Sequence, residues 1–175
     1  MNIYLIGFMG SGKSTAGKGI AALLRWRFTD LDKLVEQNEG ITVAEIFAVR
    51  GEELFRRAET EALKRVSGRK RTVVACGGGT PCSEANMALM KSTGVTVYLR
   101  LPVEALVSRL SGSRTHRPLL DNAGPEELAE RVSDLMEKRG MWYEQADLIL
   151  DTENMDEEEM TTIIAGAVRS KGAYL

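Results

Sequence analysis

Apolar positions along this chain recur in two alternating rhythms. Thr72 to Cys76 is a continuous apolar run that suits a strand buried on both faces, and Ile3 to Ile6 and Val95 to Leu99 read as two further short strands. Between them the spacing becomes helical. Ser14 to Arg25 carries Ile20, Leu23 and Leu24, and Leu31, Leu34 and Val35 resume the period after a short strand at Phe28 to Asp30. Gly40 stops that helix. Thr42, with Glu45 three residues on, forms a capping box opening a helix over Val43 to Val49, and Gly51 restarts one through Val66. Ser83 to Lys91 reads as helix, Pro102 opens another to about Leu110, and Pro125 starts a long one reaching about Tyr143. Asp147 to Leu150 is a last short strand, followed by a terminal helix from about Met155. Between Ser111 and Gly124 the periodicity fails. Strands alternating with helices predict an α/β fold, a three-layer α/β/α sandwich around a five-stranded parallel sheet. Ligands of such sheets sit outside the carboxyl ends of the strands.

Composition narrows the class without altering that picture. The 175 residues show no linker or low-complexity tract, so 1–175 reads as a single domain, and 43% hydrophobic with 27% charged residues excludes disordered and fibrous chains. Against 25 acidic residues the 23 Lys and Arg leave a net charge of -2, so the molecule has no general attraction for nucleic acid or anionic lipid. Any anion site must be local. Cys76, Cys82 and the lone His116 build neither a disulfide framework nor a four-ligand zinc site, which fits a reduced cytoplasmic location. No apolar run approaches the roughly 18 residues needed to span a bilayer, and Asn2 to Ile6 follow Met1 without a basic leader, so neither membrane anchor nor secretory signal is expected.

The local anion site is conspicuous. Gly7-Phe8-Met9-Gly10-Ser11-Gly12-Lys13-Ser14 matches G-x-x-x-x-G-K-[ST] between a predicted strand and a predicted helix, and Thr15 follows. Its glycines let backbone N–H groups turn inward around phosphates, the helix N-terminus adds partial positive charge, Lys13 reaches the β/γ-phosphates and Ser14 is a ligand for Mg²⁺. That ion usually takes one or two carboxylates as well. The offer is Asp30-Leu31-Asp32: in an extended segment residues i and i+2 face one side, so both acids would enter the same crevice, one for metal and one for substrate. The competing reading makes Asp30 a helix N-cap and Asp32 a solvated first-turn acid.

Gly77-Gly78-Gly79 removes side chains at the end of a buried strand, which either admits a ligand against free N–H groups or simply makes a turn. Arg56 and Arg57 follow Glu52 and Glu53. In a helix Arg56 falls on their face, as a surface ion pair or as a ligand group, while Phe55 turns to the core. Arg139, near the end of the long helix, either complements the dipole or binds an anion. Arg109, Arg114 and Arg117 flank or occupy a Ser/Gly-bearing loop, about 111–124, which reads as a solvated loop or as a mobile lid bringing cations to a transferring phosphoryl group. Phosphoryl transfer asks mainly for positioning and charge neutralisation, and these parts together read as a small-molecule kinase using ATP and Mg²⁺. A gluconate or nucleoside monophosphate kinase and a non-catalytic nucleotide-binding module are the alternatives, although no N-K-x-D guanine signature occurs.

Beyond the phosphate loop, the ordered set Asp30-Leu31-Asp32, Phe55-Arg56-Arg57, Gly77-Gly78-Gly79, Arg117-Pro118-Leu119-Leu120 and Lys138-Arg139 followed by Tyr143 resembles the shikimate kinase family over nearly the whole chain. The resemblance implies a P-loop NTPase fold and phosphorylation of the shikimate 3-hydroxyl by ATP in aromatic amino-acid biosynthesis, by a monomer. It implies catalytic roles for Lys13, Asp32 and Arg117, with Asp32 receiving the hydroxyl proton. Gly10, Ser11, Gly12, Lys13, Ser14, Thr15, Arg109 and Arg117 would bind nucleotide, Arg109 by stacking on adenine, and Ser14 and Asp30 would hold the metal. Asp32, Arg56, Gly77, Gly78, Gly79 and Arg139 would bind shikimate, the two arginines clamping its carboxylate.

Overall fold

The computed structural model describes residues 1–112, 119–120 and 124–172. The expected lid, with Arg114, His116 and Arg117, lies largely outside them, so the lid and the role of Arg117 stay expectations. Five parallel strands, β1 (Asn2–Ile6), β2 (Arg27–Asp30), β3 (Thr72–Ala75), β4 (Gly94–Arg100) and β5 (Leu148–Asp151), form one sheet in the order β2-β3-β1-β4-β5. Every residue of β1 is buried, because both faces are covered. Tyr4 and Ile6 face a core built with α2 (Leu31–Glu39), α3 (Val43–Ser67) and α4 (Glu84–Thr93). Ile3 and Leu5 face a second core with α1 (Lys13–Leu24) and α7 (Glu157–Gly172). At about 1.5–3 kcal/mol for each large apolar side chain buried, a one-residue slip that exchanged the two faces of β1 would scramble both cores. A third cluster, including Phe8, Leu106, Leu110 and Val132, ties α5 (Val103–Ser111) and α6 (Pro125–Tyr143) to the end of β1.

β1 leaves the sheet into α1 on one face, and its neighbour β3 leaves into α4 on the other. Adjacent strands departing to opposite faces open a crevice at their carboxyl ends, between the phosphate loop and the triple glycine. The capping box at Thr42 forms in both directions. Gly51, at φ 79 and ψ 169, breaks α3 into two helical stretches where the sequence predicts a restart. The terminal helix begins at Glu157, two residues later than expected. Asp156 caps it instead, accepting from the Glu159 N–H at 2.8 Å while its own N–H donates to the Glu159 carboxylate. Both cysteines are free, and burial pushes the Cys76 thiol far up. No helix among the described residues is long and apolar enough to cross a membrane.

Candidate active site

At the end of β1 the backbone turns through left-handed conformations at Gly10 (φ 84) and Gly12 (φ 90). An L side chain there would cost about 1–2 kcal/mol, so the turn that leaves the first N–H groups of α1 open depends on glycine. Lys13 is buried within this loop, its Nζ donating to the carbonyls of Gly7 at 2.9 Å and Phe8 at 2.6 Å. Ser11 is buried with no partner for its hydroxyl, and Thr15 is exposed at the rim. Arg109 borders the loop as well: a Cβ on Gly12 would lie 3.9 Å from its guanidinium.

Across the crevice the Ser14 hydroxyl donates to Asp30 Oδ2 at 2.6 Å. Asp30 is also the N-cap of α2, accepting from the Lys33 N–H, so capping and cleft duty coexist in one carboxylate. The extended-segment argument for the pair does not hold. Asp32 lies in the first turn of α2, and the acids meet the same cleft as a cap and a first-turn residue. Asp32 is not the solvated acid of the competing reading either, because its Oδ1 is buried with no hydrogen-bond partner. Burial, reinforced by the Glu59 and Asp30 carboxylates and opposed by Lys13 and Arg56, pushes its carboxyl up to about 6. Among the described residues no three His, Cys, Asp or Glu side chains cluster as a metal cage. The Ser14 and Asp30 oxygens nevertheless suit Mg²⁺, which keeps waters and phosphate oxygens and needs few protein ligands.

The opposite wall is the triple glycine. A Cβ on Gly77 would come 2.7 Å from Asp32 Oδ1 and would strike Glu59, and one on Gly79 would strike the Arg56 guanidinium. Only glycine lets these charged groups close on the turn. Arg139 completes the wall, 3.2 Å from a Cβ at Gly78. It is only 7% exposed, its guanidinium lies over the Phe8 ring, and its Nη1 is buried without a partner, which dipole complementation at a helix end does not explain.

Arg56 binds Glu52 at 3.0 Å and Glu59 at 2.8 Å, while Glu53 pairs with Arg57 four residues on. With its side chain 71% exposed Arg57 makes the surface pair, and Arg56, at 28%, does not. Glu59, 1% exposed, also accepts from the Thr80 hydroxyl at 2.5 Å. Tyr143, fully buried, donates to the Gly78 carbonyl at 2.6 Å. Neither Glu59 nor Thr80 was expected, and Tyr143 was expected only as part of a motif. A signal for Glu59 exists: with Phe55, Ala62, Leu63 and Val66 it lies on the buried stripe of α3, where an acid needs a reason.

The resulting cleft has a volume of about 500 Å³ and runs from Gly10, Lys13 and Ser14 past Asp30 and Asp32 to Arg56, Gly77 to Gly79 and Arg139. A larger groove, about 1110 Å³, lies beside Arg100, Glu144 and the Asp151 to Met155 turn, and none of the expected site residues lines it. A phosphate-loop motif and a pair of arginines in one cleft narrow the choice of families, and residues 9–168 match the family model for shikimate kinase. The chain belongs to the shikimate kinase family. The shikimate kinase of Geobacter sulfurreducens is 44% identical over 169 residues, 96% of this chain and 91% of that protein. The crystal structure of the Bacteroides thetaiotaomicron shikimate kinase superposes with a TM-score of 0.90 at 35% identity, covering 97% of this chain and 98% of that one. The solved structure of the Acinetobacter baumannii shikimate kinase in complex with shikimate gives a TM-score of 0.89 at 34% identity, covering 97% of this chain and 93% of that one. As a shikimate kinase family member, this chain is a P-loop kinase of α/β fold.

Proposed function

We propose that this chain transfers the γ-phosphoryl group of ATP to the 3-hydroxyl of shikimate, releasing ADP and shikimate 3-phosphate. The loop N–H groups of Gly10 to Thr15 and the Lys13 ammonium bind the phosphates and hold the terminal one in line with the acceptor. Ser14 and Asp30 hold Mg²⁺, which when bound neutralises phosphate charge. Asp32 orients the 3-hydroxyl and takes its proton as the oxygen attacks phosphorus, and a carboxyl raised to about 6 is ionised at neutral pH yet more basic than an ordinary aspartate. Arg56 and Arg139 clamp the shikimate carboxylate, and the N–H groups of Gly77 to Gly79 donate to its oxygens. Arg109 packs on the nucleotide, and Arg117 brings charge to the transferring group from the loop. Every one of these contacts comes from one chain, so a monomer suffices.

The observation that carries this reading is a pair of orphans in one cleft: a buried guanidinium nitrogen of Arg139 and a buried carboxylate oxygen of Asp32, neither with a partner. Unsatisfied buried groups cost about 1–3 kcal/mol each, more when charged, and a hydroxylated carboxylic acid would satisfy both at once. The competing acceptors are tested by measuring ADP release with shikimate, gluconate, AMP or water supplied separately. Release that depends on shikimate is expected. Faster release with gluconate or AMP, or release indifferent to any acceptor, would overturn the proposal.

A further inference from the structure

We infer that Tyr143 is a positioning residue that aims the Gly79 N–H at the acceptor; this rests on the reading of the site just given. The carbonyl of Gly78 and the N–H of Gly79 belong to one peptide unit, which is trans, so the two groups point in opposite directions. The Tyr143 hydroxyl, donating to that carbonyl at 2.6 Å, therefore decides where the N–H points. Among the described residues no backbone or side-chain acceptor takes the Gly79 N–H, and both glycines line the cleft. A hold of this kind is needed because the peptide has glycine on either side, and without Cβ atoms a reversed orientation meets little steric resistance. Among the described residues the only other group on the carbonyl is the Cys82 thiol at 3.9 Å, a weak donor.

Tyr143 is built to be a fixed point. It is fully buried, its ring packs on Tyr98 with centroids 5.1 Å apart, and it follows Arg139 by one turn of α6. Gly78 is seated between the two, since a Cβ there would lie 3.2 Å from the Arg139 guanidinium and 3.7 Å from the Tyr143 hydroxyl. One helix face thus supplies both a clamp for the acceptor carboxylate and the orientation of a neighbouring backbone donor.

The test is steady-state kinetics on the full chain with ATP and shikimate varied in turn, for wild type, Y143F and Y98F, the last removing a hydroxyl from the same ring pair without touching Gly78. Losing one positioned hydrogen bond predicts a rise of about 5- to 10-fold in the shikimate KM of Y143F, with the ATP KM within about twofold of wild type. Y98F should match wild type in both. An unchanged shikimate KM in Y143F, or a parallel loss in both KM values and kcat that tracks a fall in Tm, would overturn the inference. Should Y143F fail to fold, ¹⁵N-glycine labelling of the wild-type chain decides: shikimate must shift the Gly79 amide resonance more than that of any glycine outside the cleft, and a smaller shift contradicts the inference. If wild type itself does not phosphorylate shikimate, the proposed function fails instead, so the two failures are distinct.

Discussion

At the proposed donor end of the cleft, the groups lining the wall come mostly from the single stretch Met9 to Thr15. At the acceptor end they come from four places: Asp32 on α2, Arg56 and Glu59 on α3, the turn after β3, and Arg139 on α6. The donor end is preorganised by conformation, through glycines in left-handed geometry, and carries little buried charge beyond Lys13. The acceptor end concentrates charge out of water. Glu59 raises and Arg56 lowers the basicity of Asp32, and Glu59 also holds Arg56 in place, so a change in one of these three is felt by the others. The difference teaches that damage at the acceptor end should be specific for the acceptor and coupled between residues.

The largest expected effect separates chemistry from nucleotide binding. Asp32→Asn keeps the shape and removes the base, and kcat should fall by roughly 10²-fold or more while ATP affinity, measured by titration calorimetry, stays near wild type. Next, Arg139→Ala should raise the shikimate KM by about 30- to 100-fold, as loss of charge-assisted bonds to a carboxylate implies, with the ATP KM little changed. Equal effects on both substrates would erase the proposed division of the cleft. Smaller again is the coupling between Glu59 and Asp32. Glu59→Gln removes a neighbouring negative charge and leaves Arg56 less neutralised, and both changes lower the Asp32 carboxyl from about 6. The acid limb of the rate profile should move down by about half a pH unit or more, with no movement if the two carboxylates are independent.

The smallest effect concerns stability. A carboxyl raised above its ordinary 3.8 binds its proton more tightly in the folded state, so ionised Asp32 destabilises the fold, fully above about pH 6 and hardly at all below about pH 4. Asp32→Asn should therefore stabilise the protein at pH 8 by on the order of 2 kcal/mol, or about 5 °C in Tm, and by much less near pH 4. An unchanged or lowered Tm at pH 8 would mean that the buried carboxylate is better satisfied than its environment suggests.

The same contrast explains what could be read from the sequence. The phosphate loop was legible because its chemistry is contiguous, with strand, glycines, lysine, serine and helix in one run. Asp30 and Asp32 were legible as a pair, but through an incorrect geometry, since side-chain alternation belongs to strands and Asp32 is already helical. Arg56 and Arg139 carried weak signals of their own and gained meaning from the family's motif order, because nothing local places residues of α3 and α6 on either side of one glycine turn. Glu59, Thr80 and the hydroxyl of Tyr143 act through other residues, so no spacing rule points to them. Only the acid on the apolar stripe of α3 could have raised the question.

The central claim, that a buried carboxylate with raised basicity meets the acceptor, is tested most directly by the pH dependence of shikimate phosphorylation with both substrates well below saturation, where the rate reports groups of the free enzyme. The rate should climb tenfold per pH unit on the acid side and level off above about pH 6, where Asp32 is ionised. A profile that is flat across this range, or that levels off only near an ordinary aspartate value of about 4, would contradict it.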